Sequence, residues 1–295
     1  MKGQRVFYYP IMNYKIKRLS DNCIEVRCVY KVGFSQDFFL SADWHLDNPK
    51  CNRKLLTNHL NEAKEKEAGI FVFGDLFCAM QGKYDNRSSK SDIRPEHQSG
   101  KYLDKLVSTS YDFCEPYSDN FVLISPGNHE TAITKRHETD LTQRLIEKLK
   151  DANKSPIEMG RYSGWIRFVF EHESGGNIKK FNLFYHHGYG GGGPVTKGVI
   201  QTNRRGIYLP DATFIVGGHV HERWEVDIMR ERLKQSGKTI IDTQRHIQLP
   251  TYKEEYLQHG GWHVERGAPP KPLGGAWLRF FEKGSKIKYQ NFWAE

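Results

Sequence analysis

The hydrophobic positions of this 295-residue chain change period several times along its length. Between residues 13 and 31, Ile24, Val26, Cys28 and Tyr30 recur at every second position, the spacing of a strand with one buried face. Ser20-Asp21-Asn22 supplies turn residues, so this stretch predicts a hairpin inside an N-terminal segment of about 1–35. Phe38–Ala42, Ile70–Phe73 and Phe121–Ile124 are short continuous apolar runs, which predicts strands buried on both faces. Leu56, Leu60 and Ala63 keep helical spacing and predict a helix near 52–68. Leu103, Leu106, Tyr111, Phe113 and Cys114 predict a second helix near 101–117, and Leu141, Leu145, Ile146 and Leu149 a third near 138–150. A strand–helix–strand succession of this size is that of a crossover between parallel strands.

After these helices the pattern turns strand-rich. Trp165–Phe170 alternates, Phe181–Tyr185 and Thr213–Val216 are short strands, and further strands are expected over 222–229, 238–243, 276–282 and 286–292. No linker-like stretch separates the halves, so one domain over 1–295, built on two packed sheets, is expected. Residues 79–100 read as a polar insertion, 222–295 as a strand-rich C-terminal part, and Gly260–Gly275 as a loop before the final hairpin.

Composition narrows the class. Hydrophobic residues at 38% and aromatics at 13% exclude a disordered chain. No run approaches the ~20 apolar residues of a membrane helix, so no membrane partner is expected. Met1–Ser20 lacks the apolar core of a leader segment. Five cysteines, at 23, 28, 51, 78 and 114, form no C-x-x-C, which predicts a reduced, cytoplasmic chain without a disulfide framework. Lys+Arg exceed Asp+Glu by 44 − 35 = 9, which favours phosphate compounds or nucleic acid as partners, although basic chains also use charge for solubility alone.

Five predicted strands end in an unusual residue set. They lead into Asp43-Trp44-His45, Gly74-Asp75, Gly127-Asn128-His129-Glu130, His186-His187-Gly188 and Gly217-Gly218-His219-Val220-His221. In an α/β sheet the C-terminal strand ends form the ligand crevice. Asp43, His45, Asp75, Asn128, His187, His219 and His221 together are oxygen and nitrogen donors without a thiolate, a set suited to Mn, Fe, Zn or Ni rather than Ca. Seven donors exceed the need of one tetrahedral ion and fit two divalent ions sharing a carboxylate, with Mn²⁺ the first choice.

Asp-x-His, Gly-Asp, Gly-Asn-His-Glu, His-Gly and Gly-His-x-His, in this order over residues 43–221, resemble the calcineurin-like metallophosphoesterase superfamily. The resemblance implies an α/β fold, a four-layer αββα sandwich of two mixed β-sheets flanked by helices. It implies that Asp43, His45 and His221 hold one metal, that Asn128, His187 and His219 hold a second, and that Asp75 bridges the two. His129 would lie near the substrate phosphate, to stabilise charge or protonate the leaving oxygen while a metal-bound hydroxide attacks. His186 competes with His187; the family's ligand is often followed directly by Gly, and neighbouring strand residues face opposite ways, which favours His187. There are departures. Where many members read Gly-Asp-x-x-Asp followed by Arg, this chain has Cys78 and no such Arg. That sets it apart from the phosphoprotein phosphatase branch, and Gly-Asp-Leu-Phe (74–77) looks more like the family's repair nucleases and lipid-precursor hydrolases. Cys78 reads either as a reactive thiol or as a small buried side chain.

Three segments are candidates to meet substrate. The insertion 81–101 carries Lys83, Arg87, Lys90, Arg94 and Lys101. The loop 189–205 follows four glycines with Lys197, Asn203, Arg204 and Arg205, the expected substrate-binding residues. The loop 252–272 brings Tyr252, Tyr256, Trp262, His263 and Arg266, where Arg beside aromatics suits a phosphodiester backbone. The expected activity is a metal-dependent phosphodiesterase acting on nucleic acid or a nucleotide. The alternatives are a phosphomonoesterase for a small phosphorylated metabolite and a non-catalytic nucleic-acid-binding accessory protein with an inert metal site.

Overall fold

The computed structural model describes residues 13–80, 92–176, 178–193, 195–257, 262–265 and 267–294, the side chains of Asn203 and Trp262 excepted. In chain order the strands are β1 (Tyr14–Ser20), β2 (Cys23–Tyr30), β3 (Ser35–Ser41), β4 (Gly69–Phe73), β5 (Phe121–Ser125), β6 (Glu158–Met159), β7 (Ser163–His172), β8 (Ile178–His186), β9 (Phe214–Gly217), β10 (Trp224–Leu233), β11 (Thr239–Gln248), β12 (Gly275–Lys283) and β13 (Lys286–Ala294). The helices are α1 (Arg53–Glu65), α2 (Tyr102–Cys114), α3 (Asn128–His137), α4 (Leu141–Asn153), α5 (Val199–Tyr208) and the single turn α6 (Trp262–Glu265).

The strands form two mixed sheets, one ordered β1-β2-β7-β8-β9-β11-β10 and the other β13-β12-β3-β4-β5-β6. In the second, β3, β4, β5 and β6 are parallel neighbours, the arrangement that crossover helices impose. In the first, β8 runs parallel to β9. The sheets pack face to face through an aromatic layer. Phe280 is central to it, with ring centroids 5.0 Å from Phe168, 4.7 Å from Phe170 and 5.2 Å from Phe181. Phe38, Phe71 and Phe73 enter the same layer from β3 and β4.

The outer face of the six-stranded sheet is covered by α1, α2 and α4, whose Leu56, Leu60, Leu106, Leu145 and Leu149 pack on Ile70, Val72 and Ile124. Asn52 Oδ1 caps α1 by accepting from Leu55 N at 3.0 Å, and Asp140 caps α4 through Gln143 N at 2.9 Å. On the outer face of the other sheet a smaller cluster of Phe184, Leu209, Ala212 and Ile215 lies at the end of α5. The layers are helix, sheet, sheet, helix.

Three elements differ from the sequence expectation. Asn128–His137 is a helix that the sequence pattern did not announce, because its apolar residues, Ala132 and Ile133, are too few to show a period. Helix α5 occupies residues read as loop, and α6 lies in the stretch expected to be a loop before the final hairpin. Of the expected insertion, residues 81–91 with Lys83, Arg87 and Lys90 lie outside the described residues, as does Arg266. No helix among the described residues is long and apolar enough to cross a membrane.

Candidate metal centre

Asp43 and His45 follow β3, Asp75 follows β4, and Asn128 and His129 open α3 just past β5. His187 follows β8, and His219 and His221 follow β9. The loops after β3 and β4 continue the ladder beyond the strands. Asp43 N donates to Gly74 O and His45 N to Asp75 O, both at 3.0 Å. The backbone then kinks. Asp43, His45, Asp75, His219 and His221 all have positive φ, between 46° and 74°. This left-handed region costs an L-residue roughly 1–2 kcal/mol, and such strain collects at functional sites.

Each carboxylate has one oxygen anchored and one aimed inward. Asp43 Oδ2 accepts from His219 N at 2.8 Å, while Oδ1 lies 3.3 Å from His221 Nε2. Asp75 Oδ1 accepts from His129 N at 3.0 Å, while Oδ2 lies 3.2 Å from His187 Nε2. His187 Nδ1 donates to Phe73 O at 2.9 Å, which turns Nε2 toward Asp75 and to 3.1 Å from Asn128 Oδ1. His219 Nδ1 lies 2.7 Å from the same Asn128 oxygen, with Nε2 at 2.9 Å from Gly190 O. His45 Nε2 and His221 Nε2 are 3.3 Å apart. The seven residues thus fall into Asp43/His45/His221 and Asp75/His187/His219, the ligand atoms of each group within 4.8 Å of one another, with Asn128 joined to the second.

His186 is turned away from both groups; its Nδ1 accepts from Gly188 N at 2.9 Å and its ring faces Tyr162 and Tyr189. Close approach explains Gly127, where a Cβ would stand 2.1 Å from Asp75 Oδ1. Gly74 likewise, at φ +92°, leaves room for His187 Nδ1, 2.3 Å from where its Cβ would be.

Burial dominates the electrostatics. It disfavours charge on Asp75, but His187 and His129 outweigh it and hold the carboxyl well below its usual range. Burial likewise disfavours charge on His187, and Asp75 reverses this, lifting the imidazole to about 10. His45 is pushed well below its usual value by burial and then by His129.

His129 stands beside the groups, its Nδ1 donating to Cys78 O at 2.5 Å and its ring 5.0 Å from that of His45. Cys78 is buried and its Sγ accepts from Asn48 Nδ2 at 3.3 Å; burial raises its pKa. With His45 and His129 it forms a third group of close ligand atoms.

The expected substrate residues are spread out. Lys197 and Arg204 are exposed, and Asn203 lies on α5. Arg205 is buried on the outer side of the seven-stranded sheet, its guanidinium 6.0 Å from the Tyr189 ring centre and close to Gly217. Tyr252 is core, its hydroxyl 2.8 Å from His59 Nδ1.

Several residues that support the ligands carried no role in the sequence reading. Glu130 accepts from Asp75 N at 3.2 Å, Gly127 N at 2.8 Å and Phe77 N at 2.8 Å, tying the β4 loop to α3. Its signal was the Gly-x-x-Glu spacing, half of a capping box. Asp47 accepts from Cys78 N at 2.5 Å and Ala79 N at 2.8 Å. Thr251 Oγ1 donates to Asp43 O at 2.8 Å from far along the chain, with no local signal.

No family profile matches the chain, and no curated protein does. Among solved structures, a conserved protein of Streptococcus pneumoniae described as a predicted phosphoesterase is 11% identical, with 88% of this chain and 91% of that one covered and a TM-score of 0.32. Vacuolar protein sorting 29 of Entamoeba histolytica, complexed with zinc, is 9% identical over 88% and 100%, at a TM-score of 0.37. Its counterpart from Cryptosporidium parvum is 14% identical over 88% and 98%, at 0.32. At such distances the chemistry has to be argued from the site itself.

Proposed function

We propose that this chain is a metal-dependent phosphoester hydrolase of the calcineurin-like kind, acting on a phosphodiester of nucleic acid or a nucleotide. The observation that carries the reading is the pair of ligand groups, Asp43/His45/His221 and Asp75/His187/His219, gathered from both sheets. The donors fit two divalent cations. Among the described residues Asp43 Oδ1 and His45 Nδ1 are buried without a hydrogen-bond partner, a costly arrangement unless a bound group satisfies the site.

Asp43, His45 and His221 would hold one ion. Asn128, His187 and His219 would hold the other, and Asp75 would be shared. Two ions, manganese first with iron, zinc or nickel as alternatives, would supply Lewis-acid polarisation of a phosphoryl oxygen and acidify a bound water. The protein's own part is a water-poor wall in which charge interactions are strong. His129, steadied at Nδ1 by the Cys78 carbonyl, would stabilise phosphoryl charge or protonate the leaving oxygen. The diester reading is supported by the excess of basic residues and by the missing Arg after Gly74-Asp75.

The test is hydrolysis of a bis-aryl phosphodiester against an aryl phosphomonoester by manganese-loaded protein. Faster diester cleavage is expected. Asp75→Ala should lose metal and activity together, while His129→Ala should keep metal and lose roughly 10²–10⁴ in turnover. Equal metal loss in both would make His129 a ligand. A monoester preference would move the reading to a phosphomonoesterase. No cleavage, with DNA binding that falls steeply with salt, would move it to a non-catalytic binder.

A further inference from the structure

A buried cation lies along the Asp43/His45/His221 group and is not explained by metal binding. The segment after β11 is stitched to the loop after β3. Thr251 Oγ1 and Tyr252 N donate to Asp43 O at 2.8 and 3.0 Å, Glu254 N donates to Lys50 O at 2.8 Å, and Lys253 forms an isolated bridge with Cys51. The Lys253 side chain is 15% exposed and its Nζ is 2.9 Å from Glu255 Oε1. The other Glu255 oxygen is 2.6 Å from His263 Nδ1, and the His263 ring stands edge-on to His221, with centroids 6.2 Å apart. On the other side, the residue before Lys253 is fixed to the first ligand through the Asp43 carbonyl, and Lys253 itself is bridged to Cys51. Glu255 and His263 therefore link Lys253 to the His221 side of this ligand group.

A strut joining two loops needs an ion pair, but it does not need its cation beside a metal site. A lysine next to divalent cations is repelled by them unless an anion stands between. Glu255 turns its second oxygen to His263 Nδ1, at 2.6 Å, and so does not face the ligand group with both. Burial opposes ionisation of Glu255, but the His263 bond and Lys253 hold it down at about 2. An ammonium has three donors, so one bond to Glu255 leaves capacity for an anion's oxygens. The chain has no Arg after its Gly-Asp motif, and Lys253 is a cation carried by the C-terminal segment that is bonded to the Asp43 carbonyl.

We propose that Lys253 is the substrate-anchoring cation of this site, its ammonium contacting a non-bridging phosphoryl oxygen beside the Asp43/His45/His221 group, with Glu255 and His263 as positioning residues. The proposal rests on the phosphoester reading. As a compact point charge, lysine suits a phosphate oxygen without demanding bidentate geometry.

The test uses the full chain loaded with manganese, and compares Lys253→Met, Lys253→Arg and Glu255→Gln with the wild type. Inorganic phosphate affinity is read by calorimetry, KM and kcat on the phosphodiester, metal content by elemental analysis, and melting temperature by circular dichroism. Lys253→Met is expected to weaken phosphate binding about tenfold and to raise KM in step, with metal content at the wild-type level. Lys253→Arg should recover most of the loss. Unchanged phosphate affinity in Lys253→Met overturns the proposal. So does a parallel loss of metal and melting temperature in both Lys253 variants, the mark of a strut. Should Lys253→Met fail to fold, Glu255→Gln decides: a raised KM with metal retained supports positioning, and an unchanged KM overturns it. Metal-loaded wild type that neither binds phosphate nor cleaves any phosphoester sinks the functional reading and this proposal together, a result no Lys253 variant can imitate.

Discussion

Asp75 shows how little room the centre leaves. Its carboxylate is fixed by the His129 N–H on one side and faces His187 on the other, and Gly127 packs directly against it. Gly127→Ala would put a Cβ 2.1 Å from Asp75 Oδ1, so either the α3 turn or the carboxylate must move. A displacement of that order is expected to cost about 100-fold or more in hydrolysis, with metal lost from the Asp75 group, as elemental analysis would show. His246 makes a second residue-scale case, away from the ligands. It is buried on β11, with Nε2 3.0 Å from Gln244 Oε1 and Nδ1 without a hydrogen-bond partner among the described residues. Burial, then Arg205 and Arg230, lower its pKa from 6.5 to about 4. The unfolded chain takes up this proton below 6.5 and the folded chain only below about 4, so stability falls as pH drops across that window. Urea midpoints measured from pH 7 to 4 should fall less steeply in His246→Gln than in the wild type.

At the scale of elements, α1 and α4 were legible because each buries one stripe at helical spacing. α3 and α5 were not. In α5, Ile200, Ile207 and Tyr208 are exposed, so its apolar positions do not report the buried face. In α3 the helix start is set by a side chain rather than by periodicity. Glu130 collects three backbone N–H groups, from Asp75, Gly127 and Phe77. Glu130→Ala would leave these donors buried without their acceptor, at a cost on the order of 3 kcal/mol or more. Denaturant unfolding checks this, and the metal content of the folded fraction should fall as well, because the Asp75 loop loses its tie to α3.

For the whole molecule, the centre depends on how two sheets meet. The six-stranded sheet brings Asp43, His45, Asp75 and Asn128, and the seven-stranded sheet brings His187, His219 and His221. The aromatic layer around Phe280 sets the spacing between the sheets. Phe280→Ala is expected to destabilise the fold by about 3–5 kcal/mol through lost burial and the cavity left behind. A thermal melt measures that cost, and metal titration of the folded variant should show weaker binding, since the two half-sites lose their fixed separation.

What the sequence determined by itself is the inventory and its order. Five strand-length apolar runs ended in Asp, Asn or His, four of them with an adjacent glycine, and burial periodicity is a local property that a linear reading can follow. Tertiary structure alone decided the distances within each ligand group, the burial of Arg205 beside the Tyr189 ring, and the bond from Thr251 to the Asp43 carbonyl. His45 and His221 are 176 positions apart in the chain and 3.3 Å apart in space. No local pattern encodes that distance. It follows from which strands pair, how the two sheets pack, and where the backbone is forced into the left-handed region so that side chains from distant segments point at one another.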